Sequence, residues 1–433
     1  MADAEAEKLA GLLAEAHART LALIGGLSDV QLMGPRLDIV NPFRWEAGHV
    51  AWFHEYFALR GLDPAHRPAI AGADAFYNSS TVPHDARWIL PLPDRNGTVA
   101  YMARVLDAMR ARLAQGPLDD RVRYLFRLTL MHEDMHGEAF TYMRQTLAYP
   151  APAIAGKAPE NAEAGPHPGD VAVPGGIFRL GSEPGTPFVF DNEKWAHEVR
   201  IEPFRIARAS VTNAEFQAFV ADNGYQRREL WSEDGWAWRT LAIAEHPIYW
   251  IRDGSGWRVR AFDREVELRP HRPVCNVNWH EAEAYCRWAN RRLPTEAEWE
   301  VAAAGTPVGG TLAPGKRKYP WGEAGPDPAR ANLDGYALGP VDVAACPGGD
   351  SAFGCRQMIG NVWEWTASDF EPYPGFSPDV YADYSQPWFG GTHKVLRGGA
   401  WATRGRLANC AYRNFFVPER RDVFAGFRTC ARN

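Results

Sequence analysis

No cysteine occurs before Cys275, and the six present (Cys275, Cys286, Cys346, Cys355, Cys410 and Cys430) contain no Cys-x-x-Cys pair. That spacing argues against a cysteine-built zinc or redox motif and leaves most of them as small buried side chains in a reducing compartment. Long apolar runs are missing too: no stretch approaches the ~20 apolar residues needed to span a bilayer. The first residues, Met-Ala-Asp-Ala-Glu-Ala-Glu, are acidic and lack the basic-then-apolar order of a secretory signal, so the expected location is the cytoplasm. Basic runs are absent and the net charge is only −6, which argues against a nucleic-acid partner. The length, 433 residues, is enough for two or three domains with real cores. Tryptophan is abundant at 17, mostly after residue 190 and often beside glycine. This points to a loop-rich second half held by aromatic anchors.

The most informative motif is Met131-His-Glu-Asp-Met-His-Gly137. It lies in a proline-free segment that ends at Tyr149-Pro150. On a helix, His132 and His136 stand one turn apart, about 40° around the axis, where two imidazoles can share one ion. A third histidine, His49, lies in a second helical segment that starts after Pro42. Three neutral imidazoles suit iron, zinc, copper or nickel. The literal His-Glu-x-x-His pattern also raises a zinc protease with Glu133 as base. The downstream Glu138-Ala-Phe-Thr-Tyr-Met143, however, offers neither the glycine nor the third histidine of its extended form. His54 is about 140° round the helix from His49 and reads as a polar-face residue.

Apolar spacing predicts helices over 3–24, 43–60, 98–113 and 121–147, which most simply form an up-and-down bundle with its metal site on facing helices. The stretch Asn78 to Pro93, with His84 and Arg87, is long for a plain connector. Residues 150–170 read as a Pro/Ala/Gly linker. Beyond it come short alternating segments, glycine turns and helices predicted at 213–222, capped by Thr212, and 280–290. The fold class is α+β: a helical domain over 1–149, then a second domain over 171–433.

In the second half, the strings Pro174-Gly-Gly-Ile-Phe-Arg-Leu-Gly-Ser182, Arg292-Leu-Pro-Thr-Glu-Ala-Glu-Trp299, Gly360-Asn-Val-Trp-Glu-Trp365, Val395-Leu-Arg-Gly-Gly-Ala-Trp401 and Gly426-Phe-Arg428 resemble the formylglycine-generating-enzyme-like fold, a C-type lectin variant. The first half resembles a DinB-type four-helix bundle, whose metal histidines fall on His49, His132 and His136. The two in this order resemble the EgtB-like sulfoxide synthases of ergothioneine biosynthesis. The resemblance implies an iron(II) enzyme that uses dioxygen to join a thiol to the imidazole C2 of hercynine. It also implies a catalytic tyrosine at Tyr381, which would donate a proton during dioxygen reduction, supported by Tyr384. Four positions in three stretches depart from that family. Asp134 and Met135 stand where glutamines reach the imidazole. His84 precedes Arg87 where two arginines hold a charged donor. Phe416 replaces a carboxylate. The strings Tyr77-Asn-Ser-Ser80, Pro83-His-Asp-Ala-Arg-Trp88 and Arg144-Gln-Thr-Leu147 are similar to the selenoneine-synthase branch, which implies a neutral selenosugar donor and a C–Se bond. The implied substrate contacts are His84, Arg87, Met135, Asn414, Phe415 and Phe416, the partners being small molecules only. Two other readings stay open. One is a lectin-like binding module with a structural metal site. The other is formylglycine generation, for which Cys410 and Cys430 are not in the usual pattern.

Overall fold

The computed structural model describes residues 4–432 apart from 117, 155, 157–161 and 255. It divides into two compact units, one of Met1–Ile154 with the short segment Asp379–Asp383, the other of Ala155–Pro378 with Tyr384–Asn433. The sequence reading assigns all of 171–433 to one domain; the structure assigns 379–383 to the helical unit. Within the linker read over 150–170, residues 155 and 157–161 lie outside the described residues.

Four long helices build the first unit: α1 (Ala4–Ile24), α2 (Phe43–Phe53), α3 (Arg95–Leu113) and α4 (Asp120–Thr146). The side chains of Asp94 and Asp119 cap α3 and α4 by accepting from Gly97 N and Val122 N. The chain leaves α4 through Ala148 in a left-handed conformation, immediately before Tyr149-Pro150. Helix α2 packs on both α3 and α4, and every residue from Trp45 to Phe53 is buried. It runs on as a π-helical turn over His54–Leu59, where the sequence predicts plain α-helix to residue 60. Because α2 has no solvent face, the expected polar-face position of His54 does not exist: His54 is buried.

The second unit is a mixed α/sheet body, so the α+β class holds for the chain as a whole. Its strands include β1 (Asp170–Val173), β2 (Phe204–Ala207), β3 (Arg291–Arg292), β4 (Trp363–Asp369), β5 (Lys394–Arg397), β6 (Arg413–Phe416), β7 (Ala425–Phe427) and β8 (Cys430–Ala431). Two sheets run in the orders β1-β2-β8-β3 and β6-β5-β4-β7. The helices at Asn213–Ala221, Trp279–Trp288 and Glu296–Ala304 each open with a reciprocal capping box, Thr212 with Glu215, Asn278 with Glu281 and Thr295 with Glu298. Trp299, Trp363, Trp365 and Trp401 are fully buried anchors. Two buried carboxylates are paired in its core: Glu364 accepts from Ser210, Trp299 and Arg428, and Glu296 accepts from Arg397 and Arg413. Arg413 opens β6, so this ion cluster anchors the strand that carries Asn414, Phe415 and Phe416. All six cysteines are free. Burial pushes the thiols of Cys355 to about 11 and of Cys275 and Cys430 to about 12, which keeps them protonated and unreactive at neutral pH.

Candidate metal centre

His49 of α2 and His132 and His136 of α4 converge, with one ligand nitrogen from each lying within 4.8 Å of the others. Nε2 of His132 is 3.0 Å from Nε2 of His136. Two lone pairs that close can both reach one ion at the usual metal–nitrogen distance of about 2.1 Å. The other face of each ring is held differently. His49 Nδ1 donates to the Tyr77 carbonyl at 2.8 Å, and His136 Nδ1 donates to Glu46 Oε1 at 2.5 Å. A carbonyl and a carboxylate can only accept, so each Nδ1 carries a hydrogen, and on a neutral ring this leaves Nε2 free to bind a metal. His132 Nδ1 is buried with no hydrogen-bond partner. That ring is held by stacking on Phe53, with centroids 3.4 Å apart and planes 7° apart. Trp45 stacks on His49 in the same way, at 5.0 Å and 9°.

The electrostatics suit a cation. Burial, then the neighbouring His136, brings His49 down to about 3, and burial lowers His132 well below its usual value. Both are neutral at pH 7, with no proton to displace before a metal binds. Burial acts to raise the Glu46 carboxyl, but His136 and Asn41 overcome it and bring it to about 2. The pocket therefore offers three imidazole nitrogens backed by one buried negative charge, a set that fits a divalent metal ion.

The other carboxylate of the motif turns away. Glu133 Oε2 accepts from His54 Nε2 at 2.9 Å and Oε1 accepts from Thr20 at 2.6 Å. A base so engaged on the far side of α4 cannot activate a metal-bound water, and the protease reading fails on this geometry.

Tyr381 belongs to the helical unit. Its ring meets His132 edge-on, centroids 6.0 Å apart, and packs against Phe53 at 4.9 Å and Phe57 at 5.2 Å. Burial, then the charge of Asp383, raises its hydroxyl to about 12 against a hydrogen bond from Ser79. Tyr384 falls in the second unit, packed on Phe190 at 4.6 Å with Phe415 at 6.1 Å. Among the expected substrate contacts, His84 and Arg87 lie on a 3₁₀ turn, and His84 Nε2 donates to the Val40 carbonyl at 2.7 Å. Met135 is half-buried on α4. In β6, Asn414 Oδ1 accepts from Phe415 N, Phe415 stacks on Phe370 at 3.9 Å, and the Arg420 guanidinium covers Phe416 at 5.0 Å. Sequence reasoning missed Glu46, Tyr77 and Phe53. Glu46 carried a usable signal, since it stands three residues before His49 on the same helix face.

Residues 12–140 match the DinB superfamily and residues 155–433 match the sulfatase-modifying factor enzyme 1-like domain. Over the full length, the chain is 39% identical to a hercynine oxygenase of Mycolicibacterium thermoresistibile, across 97% of this chain and 94% of that one. The chain belongs to the hercynine oxygenase family. A second such relative, from Mycobacterium tuberculosis, is 40% identical across 98% of each chain. A formylglycine-generating enzyme of Thermomonospora curvata is 34% identical but covers only 61% of this chain, and so leaves the helical unit out. The hercynine oxygenases span both units, including the helices that carry the three histidines. This chain is therefore an oxidative enzyme, and the readings that used only the second half, a lectin-like module or a formylglycine generator, give way. Among the described residues no helix is long and apolar enough to cross a membrane.

Proposed function

We propose that this chain is an iron(II)- and dioxygen-dependent enzyme that joins the imidazole C2 of hercynine to a small chalcogen donor. The observation that carries the reading is the convergence of His49, His132 and His136 with the protonated Tyr381 hydroxyl side by side in one unit. Iron(II) held by the three nitrogens would supply the redox chemistry with dioxygen and a soft-ligand position for sulfur or selenium. The chain does the rest. Its aromatic walls (Trp45, Phe53 and Phe57) exclude water. Tyr381, held at about 12, keeps a proton available at neutral pH and gives it up as oxygen is reduced. Asn414 and Phe415, adjacent on β6, are the proposed contacts for hercynine's carboxylate and trimethylammonium groups.

For the donor we propose a neutral selenosugar. His84 is bonded to the Val40 carbonyl, and two nitrogens of Arg87 are engaged by Asn41, Val82 and Ser79. Little cationic capacity is left there for a donor's carboxylates. The second reading, a thiol such as γ-glutamylcysteine, is favoured by the names of the full-length relatives. The two are separated by a competition assay with hercynine and both donors, products counted by mass. We expect the selenosugar product to dominate by at least about tenfold in specificity, roughly 1.4 kcal/mol. A predominantly γ-glutamylcysteine-derived sulfoxide overturns the selenium reading and leaves the hercynine reading standing; no hercynine-derived product with either donor overturns both.

A further inference from the structure

Arg87 sits at the junction of two chains of contact that end on two different histidines of the triad. In the first, its Nη1 donates to Asn41 Oδ1 at 2.6 Å, Asn41 Nδ2 donates to Glu46 Oε2 at 2.7 Å, and Glu46 Oε1 holds His136 Nδ1 at 2.5 Å. In the second, the guanidinium lies 4.0 Å above the Trp45 ring, which stacks in parallel on His49 and donates its Nε1 hydrogen to the Phe76 carbonyl at 2.6 Å. The backbone carbonyls of Val82 and Ser79, at 3.3 and 3.5 Å from Nη2, tie the same guanidinium to the loop before the 84–88 turn. Arg87, Asn41, Trp45, Glu46 and both histidines all lie in the helical unit.

Each link has the chemistry of a positioning contact. Asn41 can serve both neighbours only in one orientation, its oxygen toward the guanidinium and its nitrogen toward the carboxylate. That orientation aims Glu46, and the two bonds on Glu46 fix which oxygen His136 sees. A planar guanidinium gives a fork and a flat face at once, so one group serves both arms; a lysine ammonium has neither. Glu46 itself is buried, so its second oxygen needs Asn41 or it is left unsatisfied.

We infer that Arg87 is a positioning residue of the metal centre, bracing His136 through Asn41 and Glu46 and His49 through Trp45. This rests on reading the three histidines as a metal site, and it gives Arg87 a different task from gripping a donor carboxylate. Partners of metal-bound histidines commonly change metal affinity by about 10–100-fold when removed.

The test is anaerobic iron(II) titration of the full chain, with cobalt(II) absorption as a second readout, on R87M, R87K, N41A and the R87M/E46Q pair. We expect R87M and N41A each to raise the iron dissociation constant by about tenfold or more and to shift the cobalt bands. R87K should recover only part of the loss, and R87M should cost less in the E46Q background than alone, since one arm is already cut. An unaltered iron constant and cobalt spectrum in R87M overturn the inference. Should R87M fail to fold, N41A decides: a shifted iron constant supports the brace and an unshifted one ends it. If the unaltered chain binds no iron, the function reading fails. The cobalt comparison still tests the brace: shifted bands in R87M or N41A support it, and the same bands as the unaltered chain, or no cobalt bound, end it.

Discussion

The phenol ring of Tyr381 lies beside the histidine triad, its centroid 6.0 Å from that of the His132 ring. Its ring packs on Phe53 and Phe57, so Tyr381→Phe preserves the ring packing and removes the hydroxyl and its hydrogen bond with Ser79. General-acid groups contribute roughly 10²–10⁴ in rate. We expect hercynine product to fall by about a hundredfold in Tyr381→Phe while iron binding is unchanged, with oxygen uptake diverted to oxidation of the donor. Oxygen-electrode traces read alongside product yield test this. Normal yield per oxygen consumed would reduce Tyr381 to a packing residue.

At the level of the element, α2 depends on a glycine. A Cβ on Gly48 would lie 2.2 Å from the Tyr77 ring, and the carbonyl of that same Tyr77 holds His49 Nδ1. Alanine would gain up to about 1 kcal/mol in helix propensity, but forcing a buried ring aside costs typically 1–3 kcal/mol. Gly48→Ala should therefore lower the unfolding free energy by about 1–2 kcal/mol and weaken iron binding about tenfold, because His49 loses its backbone anchor. Urea denaturation and iron titration on one preparation check both. A variant as stable as its parent with the same iron affinity would mean that Tyr77 moves at no cost. The sequence announced the helix and its histidine; the need for glycine came only with the ring across from it.

At the scale of the molecule, the helical unit should lose more stability on acidification than the second unit, where opposing shifts offset one another. In the helical unit His49 is depressed to about 3, His132 is depressed well below its usual value by burial, and Glu46 is held at about 2. Between about pH 3 and 6.5 the native unit binds fewer protons than the unfolded one, so its stability rises with pH and is lost on acidification. Each buried histidine costs about 1.4 kcal/mol per pH unit below its unfolded value of about 6.5. In the second unit, burial raises Glu193 to about 8 despite Arg397. That carboxyl adds stability below its ordinary range, and the gain is lost as pH climbs from about 4.5 to 8. Burial also lowers His167, His280 and His393 in this unit, which acts the other way below about 6.5. Three of the 17 tryptophans, Trp45, Trp52 and Trp88, lie in the helical unit, so tryptophan emission reports mainly on the other. Going from pH 7 to 5, the thermal midpoint by circular dichroism at 222 nm should drop further than the emission midpoint. An emission midpoint that falls as far or further would refute the assignment.

Local periodicity and composition were enough to determine the helices of the bundle, the capping of a later helix by Thr212, the α+β class, and the three histidines as a candidate set. Helical spacing dictates which residues share a face, and short strings such as Gly360-Asn-Val-Trp-Glu-Trp365 carry a family's fold. What the fold alone decided are the pairings between distant segments. Glu133, adjacent to a ligand in sequence, turns to His54 and Thr20, while Glu46, 90 residues from His136, takes the ligand-holding place. His54 is drawn inside because α2 is buried on all sides, and residues 379–383 leave the surrounding chain to bring Tyr381 to His132. Periodicity orders a face along one element. Which group faces it across the core is settled by packing and by the need of every buried charge for a partner.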